Sequence, residues 1–188
     1  MKAARFFFSL LLLLARPALA QLHPIPPGAY RTAEAYHRRQ PQPAGTNAFY
    51  PDKRSQLVVE VPQGARTQKV RLIPDSVWGY ASGKGRTFRF FRGEEYQLLY
   101  ADTLCLYSSN IGLAKGAPPG APRYFFSRGL KGLIFPLTVR YLREMYEASS
   151  PAFVAALGQL RFGQSLADFD RKTGLYRVTT LYREAAVH

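Results

Sequence analysis

Residues 77–108 constrain the fold of this chain more than any other segment. They read VWGYASGKGRTFRFFRGEEYQLLYADTLCLYS and hold the only Trp, the only Cys and a run of alternating aromatic and polar residues cut by glycine-bearing turns. Alternation with period two is typical of strands with one buried face, and strands joined by short turns pair with their sequence neighbours. This segment predicts an antiparallel β-meander.

The centre of the meander is a predicted hairpin. In residues 86–92 (RTFRFFR), alternation places Arg89 and Phe91 on the same face of a strand. Gly93-Glu94 suits a type II′ turn after this strand.

Neighbouring segments extend the predicted sheet. Residues 57–61 (LVVEV), 69–73 (KVRLI) and 123–127 (RYFFS) have strand composition, and proline or glycine follows or precedes each of them. Because most of these strands are joined by short connections, we expect an antiparallel sheet of about six strands within residues 57–127. The glycine- and proline-rich residues 109–122 should form a surface loop.

Helical patterns lie on both sides of this sheet. Thr32 is suited to cap a short helix over residues 33–39, and Pro41 would end it. The last three residues of this helix (HRR) should face solvent. After Pro136, apolar residues recur at helical spacing, and Ser150-Pro151 opens a second C-terminal helix.

The last segments are less regular. Ser165 with Asp168 resembles a capping box and predicts a short third turn of helix. Residues 175–183 fit either period, and we favour helix. The predicted fold class is α+β: a meander of about six strands, a short N-terminal helix, and two or three C-terminal helices packed on the sheet.

The first twenty residues have the pattern of a signal peptide. Lys2 and Arg5 precede the apolar residues 6–15, and Ala18-Leu19-Ala20 offers a cleavage site before Gln21. Ten helical residues span only about 15 Å, about half of a bilayer's hydrocarbon core. We therefore expect export to the periplasm or the outside of the cell. An uncleaved anchor is the alternative.

The rest of the chain is the size of one domain. Residues 21–56 are predicted to form an extended proline-rich arm, the short helix and a loop. Residues 57–188 form a single α+β domain, with the sheet in 57–127 and the helical part in 136–185. No second apolar run approaches the length of a membrane span.

Charge is the strongest global signal. Removal of Lys2, Arg5 and Arg16 from the 26 basic residues leaves 23 against 12 acidic ones, a net charge of +11. A basic chain often binds nucleic acid, but an exported protein rarely meets it. An anionic lipid, a polysaccharide or an acidic protein surface is the expected partner. The alternative is that the charge only maintains solubility.

No common catalytic or cofactor motif fits the sequence. In residues 79–84 (GYASGK), three residues separate the glycines and Gly85 follows the Lys, whereas a phosphate-binding loop needs four residues and then Ser or Thr. His37 has no partner at metal-ligand spacing, so we expect neither a metal nor another cofactor. Cys105 is the only cysteine and is predicted to be a buried, unreactive thiol.

Five residues on one predicted hairpin form the candidate binding site, here called the basic hairpin. Its cations are interleaved with aromatic residues: Lys84, Arg86, Arg89, Phe91 and Arg92. Arginine can hold phosphate or carboxylate through two hydrogen bonds, and a neighbouring ring can stack on an apolar or sugar face. A charged sheet face that prevents edge pairing is the alternative interpretation.

Three sequence patterns, GxYRT, WGYxSGK and PLTxxYLxxMY followed by DFDxKTGxY, resemble small exported proteins of Bacteroidetes-type bacteria whose function is uncharacterised. The resemblance covers most of the chain after residue 20. It implies a sheet followed by C-terminal helices and an extracytoplasmic location. Its motifs are turns and caps, so it supplies no activity and no catalytic residue.

The sequence favours a non-catalytic envelope or secreted binding module for an anionic ligand or partner. A small extracytoplasmic hydrolase is the alternative, with His37, or Asp168 beside Asp170, in a concave site. A purely structural subunit is a third reading.

Overall fold

The computed structural model describes residues 24–109, 123–161 and 163–186. The predicted signal peptide and most of the predicted loop 109–122 lie outside these residues. The elements in chain order are β1 (Gly28–Tyr30), α1 (Ala33–His37), β2 (Asn47–Phe49), β3 (Leu57–Gln63), β4 (Arg66–Leu72), β5 (Gly79–Ala81), β6 (Thr87–Phe91), β7 (Glu94–Tyr100), β8 (Leu104–Ser109), β9 (Arg123–Arg128), β10 (Phe135–Pro136), α2 (Val139–Tyr146), α3 (Pro151–Leu157), β11 (Phe169–Asp170), β12 (Leu175–Tyr176) and α4 (Arg177–Ala186).

The predicted α+β class with antiparallel sheets is confirmed. Seven strands form the large sheet in the order β1-β5-β6-β7-β8-β9-β10, and all of its pairs are antiparallel. The strands predicted at 57–61 and 69–73 are β3 and β4, which do not join this sheet. They pair with β2 in a separate sheet of three strands.

The front face of the large sheet carries two apolar clusters. Over β5 and β6, Tyr80 and Phe90 pack against Leu57 and Val59 of the small sheet. Over β8 and β9, a second cluster packs against the C-terminal helices; its buried members are Leu104, Leu106, Phe126, Leu142, Tyr146, Phe153, Leu157, Leu166 and Val178. The small sheet and the helices therefore cover different halves of one face.

The back face is covered by α1 and by the segment after β9. Strand alternation sends Arg89, Tyr96, Cys105 and Tyr107 to this face. Tyr36 of α1 packs over Tyr30, while Ile134 packs on the cluster formed by Tyr96, Cys105 and Tyr107. This arrangement places α1 beside residues 129–134.

In the N-terminal part, the segment expected to run extended contains the edge strand β1, and the helix expected over 33–39 is the shorter α1. Thr32 caps α1, since its hydroxyl accepts from the Ala35 amide at 3.1 Å. The predicted loop at 40–56 contains β2, whose Ala48 is fully buried. The sequence did not predict β2 because this strand has only three residues. Its partner β3 was also expected to belong to the large sheet, whereas β2 and β3 pair in the small one.

The C-terminal part differs from the prediction in residues 165–176. Ser165 and Asp168 make capping-box hydrogen bonds, from the Ser165 amide to Asp168 Oδ2 and from the Ala167 amide to Ser165 Oγ, but no helix follows. The hairpin β11–β12 takes its place, and Gly174 at φ 70° closes the turn. Residues 177–186 are helical, as favoured, after the short strand β12.

None of the helices in the described ranges is both long and apolar enough to cross a bilayer.

Candidate functional site

The five residues of the basic hairpin do not form one surface. Lys84 and Arg86 lie in or beside the β5–β6 turn, and Arg92 lies in the β6–β7 turn at the opposite end of β6. A strand of five residues is about 17 Å long at 3.3–3.4 Å per residue. The predicted cationic cluster is therefore divided between two ends of the sheet.

Arg89 departs most from the predicted arrangement, because only 4% of its surface is exposed. Its guanidinium donates to the Tyr107 hydroxyl at 3.1 Å and to the Gly132 carbonyl at 2.8 Å. It also lies within 6.0 Å of the ring centroids of Trp78, Phe91 and Tyr107. The alternation that predicted its face was correct, but the segment after β9 covers that face, so Arg89 is a structural cation.

Phe91 lies half-buried beside Arg89. Its ring centroid is 5.6 Å from the guanidinium carbon of Arg89 and 5.3 Å from that of Arg92. Phe91 is therefore packed between two cations of the same hairpin, and part of its ring is covered.

A different set of cations surrounds a cavity of about 900 Å³, here called the basic groove. One wall is formed by α1 and the two arginines that follow it, Arg38 and Arg39. The other wall is formed by residues 128–131, and the Ala101-Asp102 turn and Ile25 complete the cavity. Three distant segments of the chain thus meet at one site.

Positive charge predominates among the described residues that line the basic groove. Four are Arg or Lys, namely Arg38, Arg39, Arg128 and Lys131, and two are acidic, namely Glu34 and Asp102. Lys131 pairs with Glu34 across the groove. The guanidinium of Arg128 also lies 5.8 Å from the ring centroid of Tyr146.

Asp102 is held by its own turn. One of its oxygens accepts from the Thr103 amide at 2.7 Å, and the other accepts from the Tyr100 hydroxyl at 3.1 Å. Burial, together with the neighbouring Asp102, raises the pKa of Tyr100. These hydrogen bonds engage both carboxylate oxygens of Asp102, whereas Arg38 and Arg39 are exposed. The arrangement suits an anion.

The floor of the basic groove is aromatic and apolar. Tyr36 is buried, and its ring lies 4.8 Å from that of Trp78 with an interplanar angle of 31°. Ile25 and Leu130 are half-buried and pack on the same cluster. Burial raises the pKa of the Tyr36 phenol.

Hydrogen bonds from the sheet fix the wall at residues 128–131. Trp78 Nε1 donates to the Leu130 carbonyl at 2.9 Å, and Arg89 donates to the Gly132 carbonyl next along the wall. The Gly129 amide donates to the Thr103 carbonyl at 2.7 Å. Arg89 thus contributes to the site indirectly, by positioning the segment that carries Arg128 and Lys131.

Each of the two alternative hydrolase sites borders its own cavity. His37 is exposed at the basic groove, and Asp168 and Asp170 line a cavity of about 390 Å³ beside α4. Asp168 pairs with Arg177 at 3.1 Å, while Asp170 accepts from the Lys172 amide and the Thr173 hydroxyl. These interactions stabilise turns. Across the described residues, no three His, Cys, Asp or Glu side chains are grouped to hold a metal ion.

Cys105 is fully buried on the back face, as predicted. Its thiol donates to the Asp102 carbonyl at 3.1 Å, and burial raises its pKa. A thiol in this state is a poor nucleophile at neutral pH.

The sequence contained one sign of the basic groove. Residues 37–39 (HRR) are a basic run at the end of a short helix, and we expected them to be solvated. Arg128 is the last residue of β9, and Lys131 lies in the loop that follows. No sequence periodicity links these two residues to α1. Their convergence depends on the tertiary structure.

Comparison of the chain with models of known protein families, with curated proteins and with solved structures found no match in any of the three.

Proposed function

We propose that this protein is an exported, non-catalytic binding module for an anionic ligand, and that the basic groove is its binding site. The observation that carries the proposal is the convergence of Arg38, Arg39, Arg128 and Lys131 around one cavity. Its volume of about 900 Å³ lies within the usual range for small-molecule sites, roughly 300–1,000 Å³.

Electrostatics supports this assignment. With four cations and two carboxylates, the groove keeps an excess of positive charge even when Lys131 pairs with Glu34. Guanidinium groups present planar hydrogen-bond donors that match carboxylate and phosphate oxygens. The expected ligand or partner group is therefore an acid that reaches into the groove.

The basic hairpin is the weaker candidate. Its Lys84 and Arg86 lie on an exposed turn, its Arg92 lies about 17 Å away at the other end of β6, and its Arg89 is buried. This makes Lys84 and Arg86 a suitable control for charge changes in the groove.

The test is a titration with citrate and with pyrophosphate at low ionic strength, followed by calorimetry. The groove variant carries Arg38→Glu and Arg39→Glu, and the control carries Lys84→Glu and Arg86→Glu, so both lose the same net charge. Because a charge-assisted hydrogen bond contributes about 1.5–3 kcal/mol, the groove variant should bind at least about tenfold more weakly. The control should retain the affinity of the unmodified protein.

Two results would count against the proposal. Equal weakening in both variants would mean that the anion responds to overall charge and not to the groove. If neither anion binds to the unmodified protein, the proposed function is wrong. Added salt should weaken genuine binding, since exposed charges are screened over about 10 Å at 0.1 M.

Export is tested separately. We expect the protein expressed with its own N-terminus in a Gram-negative bacterium to be recovered from the envelope or medium with Gln21 as its first residue. Recovery of the protein from the cytoplasm with residues 1–20 intact would contradict the predicted export.

A further inference from the structure

We infer that the ligand of the basic groove is an amphipathic acid, with its carboxylate or phosphate held by Arg39 and its apolar part against Ile25 and Leu130. This inference rests on the proposed function and specifies its ligand class. Two independent observations lead to it: the backbone conformation of Arg39 and the composition of the floor.

Arg39 occupies a position that favours glycine. The Arg39 amide donates to the Tyr36 carbonyl and the Gln40 amide donates to the Ala35 carbonyl, both at 2.9 Å, which is the Schellman pattern at the end of α1. The residue after the helix cap in this motif is left-handed, and Arg39 has φ 58°. An arginine in this region is uncommon, and such residues cluster at functional sites.

The position of Arg39 brings a cation to the groove at a cost in backbone strain. Asn or Gly would close the helix with less strain, but neither would place a charge there. Arg39 is exposed, so packing of its side chain does not account for its presence. A direct contact with an anionic group is the role that we infer for it.

Apolar side chains lie beside this charge. Ile25 and Leu130 line the groove, and both are half-buried against the Tyr36 cluster. The carbonyls of Leu130 and Gly132 accept from Trp78 and Arg89, so these acceptors are engaged inside the fold. A simple inorganic anion would contact the cations and leave Ile25 and Leu130 in water.

A groove with cations beside an apolar floor fits a ligand that has an acid group and an apolar part. Burial of the apolar part removes surface from water, and the acid group meets the guanidinium at the rim. Free fatty acids and alkyl phosphates have this chemistry, and so does a phospholipid through its headgroup phosphate.

The first experiment compares matched ligands. Monomeric octyl phosphate, inorganic phosphate and octanol are titrated against the protein, and binding is followed by calorimetry and by the fluorescence of Trp78. This residue is the only Trp, and its ring contacts that of Tyr36, which lines the groove. Decanoate and acetate form a second pair for the carboxylate. We expect each alkyl acid to bind at least tenfold more tightly than its short partner, and octanol to bind more weakly than octyl phosphate.

The second experiment uses two matched variants. Arg39→Asn and Arg92→Asn each remove one arginine from a left-handed position, at φ 58° and φ 52°, and only the first lies in the groove. Both variants should melt at or above the temperature of the unmodified protein. Arg39→Asn should weaken octyl phosphate binding about tenfold, and Arg92→Asn should leave it unchanged.

The outcomes separate this inference from the proposed function. If phosphate binds as tightly as octyl phosphate, or if Arg39→Asn binds normally, the inference is wrong and the anion site stands. If the protein binds phosphatidylglycerol vesicles but not the monomeric acids, the inference also fails, because the surface then recognises a membrane. If no anion binds in any arm, the proposed function fails with it.

Discussion

Arg89 is a buried cation whose partners are rings and neutral oxygens. Tyr107 Oη, Ser127 Oγ and the Gly132 carbonyl accept from its guanidinium, and its Nε has no partner within the described part of the chain. Burial of a charge is costly unless hydrogen bonds compensate it. Arg89 lies between the sheet and residues 129–134, and its hydrogen bond to the Gly132 carbonyl holds one wall of the groove against the sheet. Charge alone suggested a surface residue, since only the tertiary fold shows what covers a strand face.

Glu95 offers a prediction that depends on pH. Tyr80 donates to its carboxylate at 2.5 Å, but burial is the larger effect and raises the pKa of Glu95. A carboxyl with a raised folded-state pKa stabilises the fold below its unfolded pKa, and this contribution is lost as the pH rises through the folded-state pKa. Glu95→Gln keeps an acceptor for Tyr80 and has no charge to bury. It should raise the melting temperature at about pH 7.5 and not at about pH 3.5, below the ordinary pKa of Glu near 4.3.

The control for this prediction is Glu94→Gln. Glu94 is exposed, and its carboxylate accepts from the Tyr96 hydroxyl at 2.7 Å, so the substitution removes the same charge beside a tyrosine. A gain at Glu95 that is equal at both pH values would contradict the explanation from burial of the charge.

Cys105 provides a test of the back-face core. Its thiol is fully buried and hydrogen-bonded, and its pKa is raised, so a disulfide reagent should not reach it in the native protein. Absorbance after addition of Ellman's reagent should show no released thiolate until guanidinium chloride unfolds the chain, and then one thiol per chain. Rapid labelling of the native protein would show that residues 129–134 do not cover this face.

At the level of elements, the hairpin β6–β7 shows what the sequence could specify. The turn was expected at Gly93-Glu94 with type II′ geometry. Phe91 pairs with Glu94, so the two turn residues are Arg92 and Gly93, both with positive φ. That is a type I′ turn, whose right-handed twist matches that of the flanking strands. The glycine located the hairpin, but the strand register decided which residue preceded it in the turn.

This turn gives a stability prediction. Type I′ turns favour Asn before Gly, because Asn tolerates the left-handed conformation better than Arg does. Arg92→Asn should therefore increase the free energy of unfolding by about 0.5–1 kcal/mol, measured by denaturant titration. A loss of stability would mean that the contact of Arg92 with the Phe91 ring outweighs the strain at φ 52°.

Strand and helix periodicity predicted the long elements better than the short ones. Phe90 follows strand alternation and Leu142 follows helical spacing, and both are buried. The strands β1 and β2 have three residues each, too few for a period to be recognised. The separation of β2, β3 and β4 from the large sheet also escaped prediction, because local pattern does not record which partner a strand takes.

At the scale of the whole molecule, the fold separates a buried structural cation from exposed ones. Arg89 is buried behind the large sheet, whereas the four cations of the basic groove are exposed. Trp78 and Arg89 hold residues 129–134 against the back face by hydrogen bonds, and the basic groove lies where the β7–β8 turn and the end of β9 meet α1. Excess positive charge was evident from composition, but its concentration in this groove was not. It depends on contacts between α1 and the end of β9, which lie far apart in sequence.

The most direct test of the central claim is chemical-shift mapping of the ¹⁵N-labelled protein during titration with pyrophosphate. We expect amide shifts at residues 34–39, 101–102 and 128–132, around the cations of the basic groove, with small changes at 82–86 and 92–93. Shifts confined to the two turns of the basic hairpin, or spread evenly over the basic surface, would contradict the assignment of the groove as the binding site.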